Sequence, residues 1–148
     1  MDLKERRILV SLLCTLIIFG WYSLHVYRNY FAVNPELLND FGFWGKAFLL
    51  LIPISVVAQI IIHIIFAIIT KITTSEDLPS KTDEMDKLIE LKTMRVAHWI
   101  FISGFVAAMS VLALGMQPYV FFLILTFSGF GASVISEILS IIYYRRGV

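Results

Sequence analysis

Residues 47–70 read AFLLLIPISVVAQIIIHIIFAIIT, a run without one formal charge. A bilayer core of about 30 Å needs about 20 mostly apolar residues in a helix that rises about 1.5 Å per residue. The run is long enough to cross, and Gln59 and His63 stand out within it as strongly polar. Working outward, residues 8–27 and 96–116 repeat the pattern, and residues 119–144 do so with Glu137 as the one charge. The chain therefore reads as an all-α integral membrane four-helix bundle, a single transmembrane domain over residues 1–148.

Composition supports this. Hydrophobic residues make up 59% of the chain and charged residues 16%, against about 45–50% and about 25% in an ordinary soluble domain. Too little polar surface exists to cover a core of that size in water. A net charge of +1 leaves no strongly basic stripe for nucleic acid. Cys14 is the only cysteine, which excludes an intrachain disulfide and a cysteine metal cluster; it reads as a small buried hydrophobe. The opening MDLKERR before an apolar stretch has the look of a signal peptide. That stretch continues to about residue 26 with no small-residue cleavage site, so it is expected to stay as the first span.

The basic residues set an expected orientation. Lys4, Arg6 and Arg7 precede the first span, Lys71, Lys81, Lys87, Lys92 and Arg95 lie at or near the 71–95 connection, and Arg145 and Arg146 follow the fourth span. Arg28 and Lys46 alone fall on the other side. The positive-inside rule then places both termini and the 71–95 loop in the cytoplasm, with the chain in the inner membrane. The external connection carries Tyr30, Phe31, Phe41, Phe43 and Trp44, residue types that seat a protein at the membrane–water interface, and His25 and Arg28 read as anchors there. Asn34 followed by Pro35 predicts a short helix with Asn34 as its cap. Within the 71–95 loop, Thr82 offers a cap, and Asp83 and Glu84 fall in the first turn that follows. Met85, Leu88, Ile89 and Val96 recur at helical spacing, which predicts a short cytoplasmic amphipathic helix running into the third span.

Membrane helices associate through close backbone approach, so small residues four apart mark interfaces. The third span has Ser103-Gly104 and Ala107-Ala108, and the fourth has Ser128-Gly129, Ala132-Ser133 and Ser136. With a short Gln117-Pro118 turn between them, the two spans are expected to form a tight hairpin. Their small faces suit contacts within the chain or in a homo-oligomer.

An ionisable group inside a span is costly and marks a functional candidate. Glu137 precedes Arg145 by eight residues, about 12 Å of helix, and His63 precedes Lys71 by the same distance. Gln59 lies one turn from His63, and His98 lies three residues past Arg95. Gln59, His63, His98 and Glu137 form a candidate intramembrane polar cluster. Three roles fit these residue types: hydrogen-bonded glue between helices, with Arg95 or Arg145 as a cationic partner for Glu137; a proton or ion pathway; or a divalent metal site. The sequence contains no phosphate loop, His-Glu-x-x-His or nucleophile elbow, so neither an enzyme nor a cofactor is expected.

Residues 82–92, TDEMDKLIELK, and the ending YYRRG at 143–147 resemble a family of small multi-pass membrane proteins of bacteria and archaea. In that family an acidic Asp-Glu-x-Asp segment leads into a span and the chain closes on a Tyr/Arg-rich end. The resemblance covers about residues 82–147 and implies topology, with no assigned activity. It directs attention to Asp83, Glu84, Asp86 and Lys87 as a segment for docking a cytoplasmic protein partner. Two expectations of function follow: a non-enzymatic regulatory, sensing or accessory subunit acting through protein contacts, or a small oligomeric channel or proton- or cation-coupled transporter using the His/Glu cluster.

Overall fold

The computed structural model describes residues 3–74 and 84–147. Among these the long elements are α1 (Leu3–Val26), α2 (Phe41–Thr74), α3 (Glu84–Ala113) and α4 (Pro118–Arg146), with no strand. All four are long and apolar enough to cross a bilayer, and the chain is an all-α four-helix membrane protein.

Each helix outruns its apolar stretch at one or both ends. Backbone hydrogen bonding does not stop where side chains turn polar, so charged turns continue the helix beyond the hydrocarbon. The amphipathic segment before the third span is accordingly the first turns of α3 itself, with Glu84 and Asp86 in the first turn, where the helix dipole favours acids. The Asp40 carboxylate accepts the Gly42 N–H at 2.8 Å and opens α2. At the end of α3, Gly115 adopts φ +72°. Its N–H reaches the Leu112 carbonyl at 3.0 Å and the Met116 N–H reaches that of Val111 at 3.2 Å, a Schellman closure. Pro118 then starts α4 at a position that needs no N–H donor.

In space the helices follow the order α2–α1–α4–α3, with α1 and α4 as the inner pair. Helix α1 packs against α2 on one side and α4 on the other, and α3 lies along α4. The α3–α4 contact is built on small residues: a Cβ added at Gly104 would collide with the Ser128 side chain, and Ala108 and Ala132 are buried. The spacing Gly104–Ala108 on α3 thus meets Ser128–Ala132 on α4, while Ser103 and Ala107 are exposed. These buried small faces serve within the chain. By contrast, no residue in the most apolar stretch of α2 is buried. Polar ties between α2 and α1 include the Tyr22 hydroxyl, which donates to the Ala47 carbonyl at 2.6 Å, and Gln59.

The α1–α2 connection closes the end of the bundle away from the termini. A π-helical turn, Tyr27–Phe31, extends α1, and a 3-10 helix spans Pro35–Asn39. Asn34 caps it, accepting the Glu36 N–H at 3.2 Å, as the sequence predicts. Not all the aromatic residues here form an interfacial belt. Trp44 is buried, stacks on Phe122 at 5.1 Å, contacts Phe31 at 5.2 Å and donates its indole N–H to the Leu38 carbonyl at 2.8 Å. Tyr30 and Phe41 are exposed.

Candidate intramembrane polar pocket

The end of the bundle that holds both termini is organised by polar residues at helical spacing. On α1 these are Lys4, Arg7 and Ser11; on α3, Asp86, Glu90 and Thr93; on α4, Glu137, Ser140 and Tyr144. Residues three and four apart share a helix face, so each helix turns a polar stripe towards a common space. That space is a pocket of about 470 Å³.

A charged rim lies at its mouth. The Lys4 ammonium holds Asp86 at 2.9 and 2.8 Å, and the Tyr144 hydroxyl donates to Asp86 Oδ1 at 2.7 Å. Lys4 also lies 5.9 Å from the centre of the Tyr144 ring. Beside it, Arg145 pairs with the buried Glu5 carboxylate at 3.5 Å, tying α4 to α1. Arg7 and Glu90 line the pocket as well, and neither makes an ion pair among the described residues.

Deeper in, Ser11 is the junction. Its hydroxyl donates to Glu137 Oε1 at 2.8 Å, and Gln59 Oε1 lies 3.3 Å from the same hydroxyl. The Gln59 amide donates to Thr15 Oγ1 at 2.8 Å. A serine hydroxyl has one proton, so it serves one of these two acceptors at a time; the shorter contact is to Glu137. Two polar atoms here, Glu137 Oε2 and His63 Nδ1, are buried without a hydrogen-bond partner among the described residues. An orphaned buried polar atom is uncommon and costs about 1–3 kcal/mol. Both belong to residues that line the pocket.

Three of the four residues singled out in the sequence therefore come together: Gln59, His63 and Glu137. His98 does not join them. It is exposed on α3, while Thr93, Glu90 and Asp86 are the α3 side chains that reach the pocket. Glu137 has Ser11 as its neighbour instead of an arginine, because Arg145 is engaged by Glu5. Among the described residues no three His, Cys, Asp or Glu side chains converge as metal ligands. In the acidic segment, Asp83 lies outside the described residues. Asp86 turns inward to the rim, whereas Glu84 and Lys87 are exposed.

The α1 contribution escaped the reading by charge count, which treats Lys4 and Arg7 only as markers of orientation. The signal was present in their spacing with Ser11 and Thr15, a single stripe along an otherwise apolar helix. No family model, curated protein or solved structure matches the chain.

Proposed function

We propose that the chain is a non-enzymatic, proton-responsive membrane protein, a sensing or regulatory subunit whose responsive element is the Glu137–Ser11–Gln59 relay. The observation that carries this reading is the single Ser11 hydroxyl within reach of acceptors on two other helices, Glu137 at 2.8 Å and Gln59 at 3.3 Å. With Glu137 ionised, Ser11 donates to it and Gln59 Oε1 is left without that donor. With Glu137 protonated, its O–H donates to Ser11, and Ser11 is released to donate to Gln59. One proton on α4 thus changes a bond between α1 and α2. Because α2 packs mainly on α1, it is the helix with most freedom to respond.

The groups facing this relay are Lys4, Arg7 and Cys14 on α1, His63 on α2, Asp86 and Glu90 on α3 and Tyr144 on α4. Distribution of basic residues supports an orientation with both termini and the α2–α3 connection in the cytoplasm of an inner-membrane protein. Exposed α2 supports assembly with further copies or a partner protein, and Glu84 and Lys87 remain the accessible part of the acidic segment for such a contact.

Hydrogen exchange of α2 in nanodiscs, compared between about pH 5 and 8, tests the relay. Protection in α2 is expected to change with pH in the native chain and to become pH-independent in Glu137→Gln, whose amide does not titrate. Identical protection at both pH values in the native chain would remove the proposal. A second reading, proton transport, draws on the continuous row from Glu137 through Ser11 and Gln59 to Thr15. Beyond Thr15 the walls turn apolar with Phe19, Leu51 and Phe130, which favours sensing within one chain. Proton flux into proteoliposomes that both Glu137→Gln and His63→Ala abolish would promote transport over sensing.

A further inference from the structure

Beside α1, between α2 and α4, runs a second cavity of about 1020 Å³, walled by Phe19, Phe48, Ile60, Leu125 and Phe130. It exists because α2 packs on α1 and leaves α4 uncovered along that side. On α2 its lining extends from Phe48 to Ala67, about 28 Å of helix, close to the thickness of the hydrocarbon core. This groove and the polar pocket meet at His63, whose side chain lines both. Together they make an amphipathic site: a long apolar trough that ends beside a charged chamber whose rim carries Lys4 and Asp86.

An apolar trough within a bilayer is filled, because its walls otherwise forfeit dispersion contacts. Two features decide by what. The walls are mostly apolar along their length and end beside charged groups, a sequence of surfaces that a lipid's tail and head match and the apolar α2 face of a second copy does not. The chamber then selects the head. Once Lys4 and Asp86 are paired with each other, the lining retains Arg7 of one sign and Glu90 of the other, neither ion-paired among the described residues, together with the orphaned Glu137 Oε2 and His63 Nδ1. A purely anionic head would meet Glu90, and a purely cationic one would meet Arg7.

We infer that the adjoining cavities bind one zwitterionic phospholipid with a primary ammonium in its head, the phosphate towards Arg7, the ammonium towards Glu90 and Glu137, and a tail along the groove. A primary ammonium offers three donors to those carboxyl oxygens, which a quaternary ammonium lacks. This site goes beyond the proton-responsive reading and does not require it.

Native mass spectrometry of the detergent-purified, delipidated chain tests the inference. At one pH the protein is exposed to equimolar phosphatidylethanolamine, phosphatidylcholine and phosphatidylglycerol with identical tails. The expected result is a single adduct of phosphatidylethanolamine, favoured about tenfold over either competitor. Glu90→Gln, which removes a carboxylate that receives the ammonium, is expected to erase most of the preference, and Gly129→Trp, which projects a large side chain from the α4 wall of the groove, to remove the adduct. Circular dichroism checks that both variants remain helical, and Ile60→Trp blocks the same groove from α2 should Gly129→Trp fail to fold. Equal retention of all three lipids would show ordinary annular contact and overturn the inference, as would no adduct, or a dimer without lipid. Because pH is fixed and Glu137 is not substituted, failure here leaves the relay untouched, and a pH-insensitive α2 leaves the lipid site untouched.

Discussion

Ser11 is a small residue with a large share of the polar organisation, because one hydroxyl proton is divided between an acid and an amide on different helices. Replacing it with Ala leaves Glu137 Oε1 without its donor. A loss of about 1–2 kcal/mol is expected in chemical or thermal unfolding, with a smaller loss in a Glu137→Gln background, where the acceptor is no longer a carboxylate. Equal losses in both backgrounds would show that the two side chains are not coupled. Glycines make a sharper contrast at this scale. A Cβ at Gly104 would occupy the space of the Ser128 side chain, whereas one at Gly131 meets nothing. Gly104→Ala is therefore expected to destabilise by about 1–3 kcal/mol through overpacking. Gly131→Ala should be neutral or stabilise by up to about 1 kcal/mol through helix propensity. Similar unfolding midpoints for the two variants would contradict the close α3–α4 approach.

At the scale of elements, the four helices are held to different degrees. α3 and α4 share a small-residue seam, α1 joins α4 through Glu5–Arg145, and α1 reaches α3 through Lys4–Asp86. The Lys4 and Asp86 side chains are 26% and 13% exposed, so this pair is better shielded than a surface ion pair yet still partly screened. Lys4→Gln and Asp86→Asn are each expected to cost about 1 kcal/mol, and the double variant less than their sum by about 0.5–1 kcal/mol. Strict additivity in a double-mutant cycle would mean that the bridge contributes nothing. The elements themselves were legible from their apolar runs, and the hairpin turn from Gly115 and Pro118. Less legible was which small pair on α3 faces inward. Ser103–Ala107 and Gly104–Ala108 have the same spacing, and only the rotation of the packed helix selects the second.

For the whole molecule, the relevant asymmetry lies between its two ends. One closes on aromatic rings, Trp44 stacked on Phe122 with Phe31 against Trp44, and the other opens into a charged chamber. Positive charge is concentrated at the chambered end, which the positive-inside rule assigns to the cytoplasm. Alkaline phosphatase fused within residues 32–40 is expected to be active outside the membrane, and green fluorescent protein fused after residue 148 to fluoresce inside the cell. Inactive phosphatase with a dark C-terminal fusion would invert the orientation. The incomplete cover over α2 also belongs to this scale. It follows from the packing order α2–α1–α4–α3, in which α2 and α4 both lie on α1 and face each other across space they do not fill.

What the sequence alone determined is the number of spans, their approximate positions, the hairpin between the third and fourth and the presence of Gln59, His63 and Glu137 inside the membrane. These depend on local quantities: run length, periodicity and the cost of polar groups in hydrocarbon. The tertiary structure alone decided that His98 faces outward, that Ser11 stands between Glu137 and Gln59, that Asp86 is turned to Lys4 and Tyr144, and that α2 leaves a groove beside α4. Each of these depends on how a helix is rotated about its own axis and which neighbour it meets. Rotation is set by the fit of distant surfaces, to which residues far apart in the chain contribute together, and no single stretch encodes it.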